Sequence, residues 1–122
     1  MQLTLENPEF RFLLRGADGA SARVNERELR RSFIITPDRL LEDWRPRSID
    51  ELGLADLEPL LALEPGVVLL GSGARLHFPG QPLLAAFLTR GIGIEVMDNG
   101  AAARTYNLLA GEGRTVVAAF LL

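Results

Sequence analysis

Two densely apolar segments constrain this chain more than anything else in it: Val67–Leu70 and Thr115–Leu121. A strand wetted on one face alternates apolar and polar residues, whereas a strand covered on both faces reads as a continuous apolar run. Both segments therefore predict buried strands. Between them the pattern alternates. Gln81–Arg90 predicts a helix, with Pro82 early and Gly91 at its stop. Ile92–Met97 predicts a strand with Ile92, Ile94 and Val96 on one face. Asn99–Ala110 predicts a second helix, with Asn99 as N-cap and Gly111 just past its end. Strand–helix–strand–helix–strand with short links implies an α/β fold around a mixed, partly parallel sheet with helices packed on it.

The first third has strand character instead. Arg11–Leu14, a Gly16-Ala17-Asp18-Gly19 turn, Ala20–Val24, an Asn25-Glu26-Arg27 turn and Glu28–Ile35 predict an N-terminal antiparallel β meander. In the last of these strands Leu29, Arg31, Phe33 and Ile35 share a face and Ile34 points the other way. Thr36-Pro37-Asp38 stops it, because Pro cannot continue a ladder. An irregular connection carrying Trp44-Arg45-Pro46-Arg47 follows. Ser48 with Glu51 matches a capping box, a second helix start lies near Asp56, and Leu57, Leu60 and Leu61 form a short stripe ended by Pro65-Gly66.

Length and composition agree with this pattern. At 122 residues with 48% hydrophobic content, residues 1–122 suit a single domain with a packed core and no need of a disulfide or metal. The absence of Cys excludes thiolate ligands and Cys nucleophiles. Met1–Pro8 lacks the basic and apolar regions of a signal peptide, and the longest apolar run, Val116–Leu122, is too short to span a bilayer, so no transmembrane segment and a cytoplasmic location are expected. A net charge of −3 argues against a general nucleic-acid partner. Lys is absent; all thirteen basic residues are Arg, and seven of them stand against five acids in residues 23–47.

No segment carries a complete catalytic motif. Gly71-Ser72-Gly73 follows the first buried strand and could turn sharply or expose N–H groups to an anion, but no helix opens at once, as phosphate-binding fingerprints require. Ser72, His77 and Asp98 are the only set from which a hydrolase triad could be drawn. The pattern of a nucleophile elbow is missing around Ser72, and His77 sits on an extended Arg75–Phe78 stretch. Neither the carboxylates nor the lone His offer metal-ligand spacing, and no cofactor is implied. Arg27, Arg30, Arg31, Arg45 and Arg47 with Trp44 either grip a phosphate-bearing or acidic partner, or the Arg stems pair Glu26 and Glu28 while Trp44 covers the core.

The richest segment is Val96-Met97-Asp98-Asn99 leading into Arg104-Thr105-Tyr106-Asn107. Asp98 and Asn99 stand where a strand's carboxyl end meets a helix N-terminus, the place where open α/β sheets hold ligands. With Gly71, Ser72 and Gly73 nearby, and Arg104 and Asn107 three apart on one helix face, these residues and Tyr106 outline a polar cleft for a ligand or partner. The alternative is structural: Arg104 paired with Asp98, and Tyr106 and Asn107 satisfying buried backbone groups.

The run from Met97 through Asn107-Leu108-Leu109, followed by Glu112-Gly113-Arg114 and Thr115–Ala119, resembles a small domain family of unknown function. That family includes mitochondrial complex I assembly factor 3 and the adipogenesis-associated domain protein. The similarity reaches back through Gly71-Ser72-Gly73, Trp44 and Ser32–Pro37. The chain departs from the family at Asn99-Gly100, where Thr-Pro is usual, and at Ala103, often Cys. The resemblance implies a single three-layer domain around a mixed five-stranded sheet. It also implies an accessory or assembly role toward a protein partner, in a respiratory complex I-like or other membrane-associated complex, without catalysis. The competing expectation is a small-molecule or anion-binding protein or enzyme using the cleft at the strand ends.

Overall fold

The computed structural model describes residues 10–122; the stretch Met1–Pro8 lies outside the described residues. The two apolar segments are strands at the centre of a five-stranded mixed sheet. They are β6 (Val67–Gly71) and β8 (Val116–Phe120), and β8 is buried at every position. The other members are β4 (Phe33–Ile35), β5 (Leu40–Leu41) and β7 (Gly93–Met97), in the order β5-β4-β8-β6-β7. β6 runs parallel to β7 and β8, whereas β4 runs antiparallel to β8 and β5. A separate antiparallel meander comprises β1 (Leu14–Ala17), β2 (Ala22–Val24) and β3 (Arg27–Leu29).

Three helices complete the fold: α1 (Glu58–Ala62), α2 (Gln81–Leu88) and α3 (Asn99–Gly111). Alternation along the central strands sends side chains to two cores. On one face, Leu69, Val116, Ala118 and Phe120 meet Ala102, Ala103 and Tyr106 of α3 together with Leu14, Val24 and Leu29 of the meander. On the other, Val68, Leu70, Val117 and Ala119 meet Leu57, Leu60 and Phe87, with Trp44, Ile49 and Leu52 from the long connection. The result is three layers, as expected.

Several local expectations are corrected. The predicted strand Glu28–Ile35 is two strands in different sheets. Arg30 and Arg31 are exposed at the break, and Ser32 is fixed elsewhere: its carbonyl accepts from Trp44 N and its hydroxyl from Leu122 N. The first strand begins at Leu14 rather than Arg11, because the Asn25 side chain takes the place of a paired strand there, accepting from Leu13 N and donating to the Arg11 carbonyl. The reversal falls at Asp18, whose carboxylate accepts from Ala20 N and Ser21 N; those bonds lower its pKa. Ser48 makes no capping bond, and the Glu51 carboxylate accepts instead from Arg47 N. The left-handed glycine after α3 is Gly113, with φ of 78°, not Gly111.

Candidate functional site

Neighbouring parallel strands whose following helices lie on opposite faces leave a crevice between their carboxyl ends. β6 and β7 are such a pair, since α2 packs with the Trp44 side core and α3 with the other. Five of the eight predicted site residues meet there: Gly71, Ser72, Gly73, Asp98 and Asn99.

The chain itself fills this crevice. Asn99 is fully buried; its carbonyl oxygen accepts from Gly73 N (3.0 Å), and its amide nitrogen donates to the Asp18 and Leu121 carbonyls at 2.8 and 2.9 Å. A Cβ at position 71 would collide with that Asn99 oxygen, which explains the glycine, and Gly73 has a φ of 114° that side-chain-bearing residues avoid. The Ser72 hydroxyl faces the Arg75 and Met97 carbonyls at 2.7 and 3.2 Å and accepts from His77 N at 3.0 Å. The Ser72 hydroxyl therefore receives the main-chain N–H of His77, not its ring, while the His77 side chain stands exposed in a loop rather than on a strand.

At the head of α3 the N-cap is Asp98, not Asn99: the Asp98 carboxylate accepts from Ala101 N at 2.9 Å. Asn99, one residue on, is thereby released to bridge three chain segments. Arg104 is exposed, its guanidinium beside Gly100, and no ion pair joins it to Asp98 among the described residues.

Tyr106 and Asn107 go elsewhere. The Tyr106 hydroxyl donates to the Phe12 carbonyl at 2.6 Å, and burial, with the Asp38 charge adding to it, raises its pKa well above the usual phenol value. Asn107 accepts from Leu14 N and donates to the Leu14 carbonyl, acting as a strand partner for β1. Every buried side-chain polar atom among the described residues has a partner.

The Arg group around Trp44 is paired, though mostly not with the expected acids. Arg27 meets Glu42 through two bonds, Arg31 meets Asp43, Arg45 meets Asp56 and Arg47 meets Glu51; only Arg30 takes Glu28. Trp44 is buried and donates to the Asp56 carbonyl.

Residue-type reasoning missed Leu76 and Phe78. They flank His77 in the loop after β6 and are 54% and 61% exposed. The available signal was a pair of large apolar residues in a loop bracketed by Gly73 and Pro79-Gly80, a setting in which burial is not the default.

Mixed sheet, meander and α3 seam define an α/β protein of three layers. The chain belongs to the family described as protein of unknown function (DUF498/DUF598), whose profile matches residues 14–121. It is 33% identical over 89 residues to NADH dehydrogenase [ubiquinone] 1 alpha subcomplex assembly factor 3 of Danio rerio, covering 71% of this chain. The match spans about half, 51%, of that longer relative. It is 27% identical over 94 residues to a 13 kDa major membrane protein of Francisella tularensis, covering 76% of each. An NMR structure of a Xanthomonas campestris protein superposes with a TM-score of 0.85 at 52% identity, covering 99% of this chain and 92% of that one. No helix among the described residues is long and apolar enough to cross a membrane.

Proposed function

We propose that this chain is a non-catalytic accessory protein that docks on a membrane-associated complex, of the respiratory complex I kind, during its assembly. The observation that carries this reading is the exposed Leu76–Phe78 pair on a loop pinned at its centre by the Ser72 hydroxyl. A loop whose main chain is already pinned needs little further ordering on docking, and the exposed part of each side chain contributes about 1 kcal/mol when covered. Two relatives, named as an assembly factor and a membrane protein, point toward the same setting. In this reading Gly71, Ser72, Gly73, Asp98 and Asn99 are the frame that presents the loop from the cytoplasm to a protein partner.

The test is a Leu76→Ser/Phe78→Ser variant expressed at the native level in its own cell. Its stability should stay within about 0.5 kcal/mol of the parent, because both side chains are exposed. Recovery with membrane fractions, and the amount of assembled respiratory complex on native gels, should fall several-fold. Full assembly and full recovery with the variant would remove the proposal.

A further inference from the structure

We propose that the outer edge of β7 receives an extended segment of the partner as a sixth strand, with apolar residues on one face and a basic residue on the other. This rests on the accessory reading above and names how the partner is held.

Among the described residues β7 is the longest edge of the large sheet, and a single charge, Glu95, guards it. Proteins blunt free edges by shortening them, bulging them or charging them. Among the described residues the other edges follow that rule. β5 has only two residues, β1 carries a register shift between Leu14 and Gly16, and β3 is three residues with Arg27 and Glu28 exposed. β7 runs five residues in unbroken register with β6 and contains neither Pro nor a basic residue.

The direction of its free groups follows from one hydrogen bond. The Met97 carbonyl accepts from Ser72 N, so the main-chain groups of Met97 face β6. In a parallel ladder the two polar groups of a residue point to the same side and alternate along the strand. Glu95 and Gly93 therefore also face β6, while Ile94 and Val96 offer an N–H and a carbonyl each to the outside. Their side chains pack toward the α2 core, and Glu95 is exposed on the opposite face. An added strand thus meets apolar neighbours on the α2 side and a carboxylate on the other.

Charge disfavours the two-fold pairing with a second copy that would use both outward-facing residues together. A two-fold antiparallel pair using Ile94 and Val96 would centre on Glu95 and set two carboxylates directly opposite one another at the closest strand spacing. A Lys or Arg in a partner strand reverses that sign. The carboxyl end of the same edge adjoins the pinned Leu76–Phe78 loop, because Ser72 binds both Met97 and His77.

The probe is a seven-residue peptide, blocked at both ends, alternating isoleucine with lysine; its control carries glutamate for lysine. Titrated into the full chain, the lysine peptide should slow amide hydrogen exchange at Ile94 and Val96 about tenfold or more and spare the β5 and β1 edges. Glu95→Lys, at an exposed position, should weaken the lysine peptide about tenfold and strengthen the glutamate peptide. Val96→Pro, which removes an outward donor and leaves the β6 ladder whole, should also weaken binding. Protection elsewhere or nowhere, or an unchanged affinity in Glu95→Lys, overturns the inference. A concentration-dependent dimer that masks the same two amides overturns it in favour of a second copy. If the Leu76→Ser/Phe78→Ser variant assembles complexes normally while the peptide still protects β7, the accessory reading fails and the edge inference stands; the reverse pattern separates them the other way.

Discussion

The two faces of the central sheet are held by different forces. On the α3 side, amides and a phenol tie the layers: Asn99 to Gly73, Asp18 and Leu121, Asn107 to Leu14, and Tyr106 to Phe12. On the α2 side, Phe87, Leu57, Leu60 and Trp44 close an aliphatic and aromatic core in which the one side-chain hydrogen bond from a buried core residue is Trp44 to Asp56. The contrast shows that the most motif-like segment, from Asp98 to Asn107, is chiefly a polar seam that docks the N-terminal meander. Leu76 and Phe78 lie outside that seam, exposed on a loop that also exposes Arg75 and His77, and the β7 edge carries Glu95. A polar cluster at strand ends is not by itself a ligand site when its donors and acceptors already match.

The sharpest way to break that contrast is Asn99→Ala. It leaves the Gly73 N–H and two carbonyls without their buried partner, so the expected loss is about 3 kcal/mol, read as a lowered urea midpoint. A loss below about 1 kcal/mol would show the seam to be ornamental. Tyr106→Phe should cost about 1 kcal/mol and also change the alkaline response. Because the folded pKa is raised, the folded protein keeps a proton that the unfolded chain releases; the stabilisation is complete below about pH 10 and declines as pH rises beyond it. Thermal melts from pH 8 to 12 should show that decline in the parent and less of it in the variant. Arg104→Ala, at an exposed side chain, should move stability by less than about 0.5 kcal/mol in the same assay. A larger loss would restore the idea that Arg104 is paired with Asp98.

What could be read from the sequence was what neighbours in the chain decide. The apolar runs marked β6 and β8, the periodicities marked α2, β7 and α3, and the order of elements implied a mixed sheet. What could not be read was decided by distant chain. Arg30-Arg31-Ser32 continues a strand pattern, yet the chain changes sheets there because Ser32 is held by Trp44 and Leu122. Asp98 and Asn99 are equally good caps by type; only the bonds of Asn99 to Asp18 and Leu121 show which one was used otherwise. Tyr106 and Asn107 find partners near the other end of the sequence, at Phe12 and Leu14, so no local spacing could separate a seam from a cleft. The Arg residues near Trp44 face the same limit, since Glu42 and Asp56 reach them only through the fold.

β8 also has a bearing on how the molecule is made. It is the one strand that joins β4 to β6, with Phe33 set against Phe120 and Val68 against Val117. Until it is synthesised, a nascent chain holds two fragments, β4 with β5 and β6 with β7, each with an open edge that has nothing to pair with. Folding of the large sheet is therefore delayed until residues 116–120 clear the ribosome exit, and closing it requires contacts across nearly the whole chain, the slow kind of ladder to form. During that interval the edges of β4 and β6 that await β8 are the stretches most open to wrong pairing.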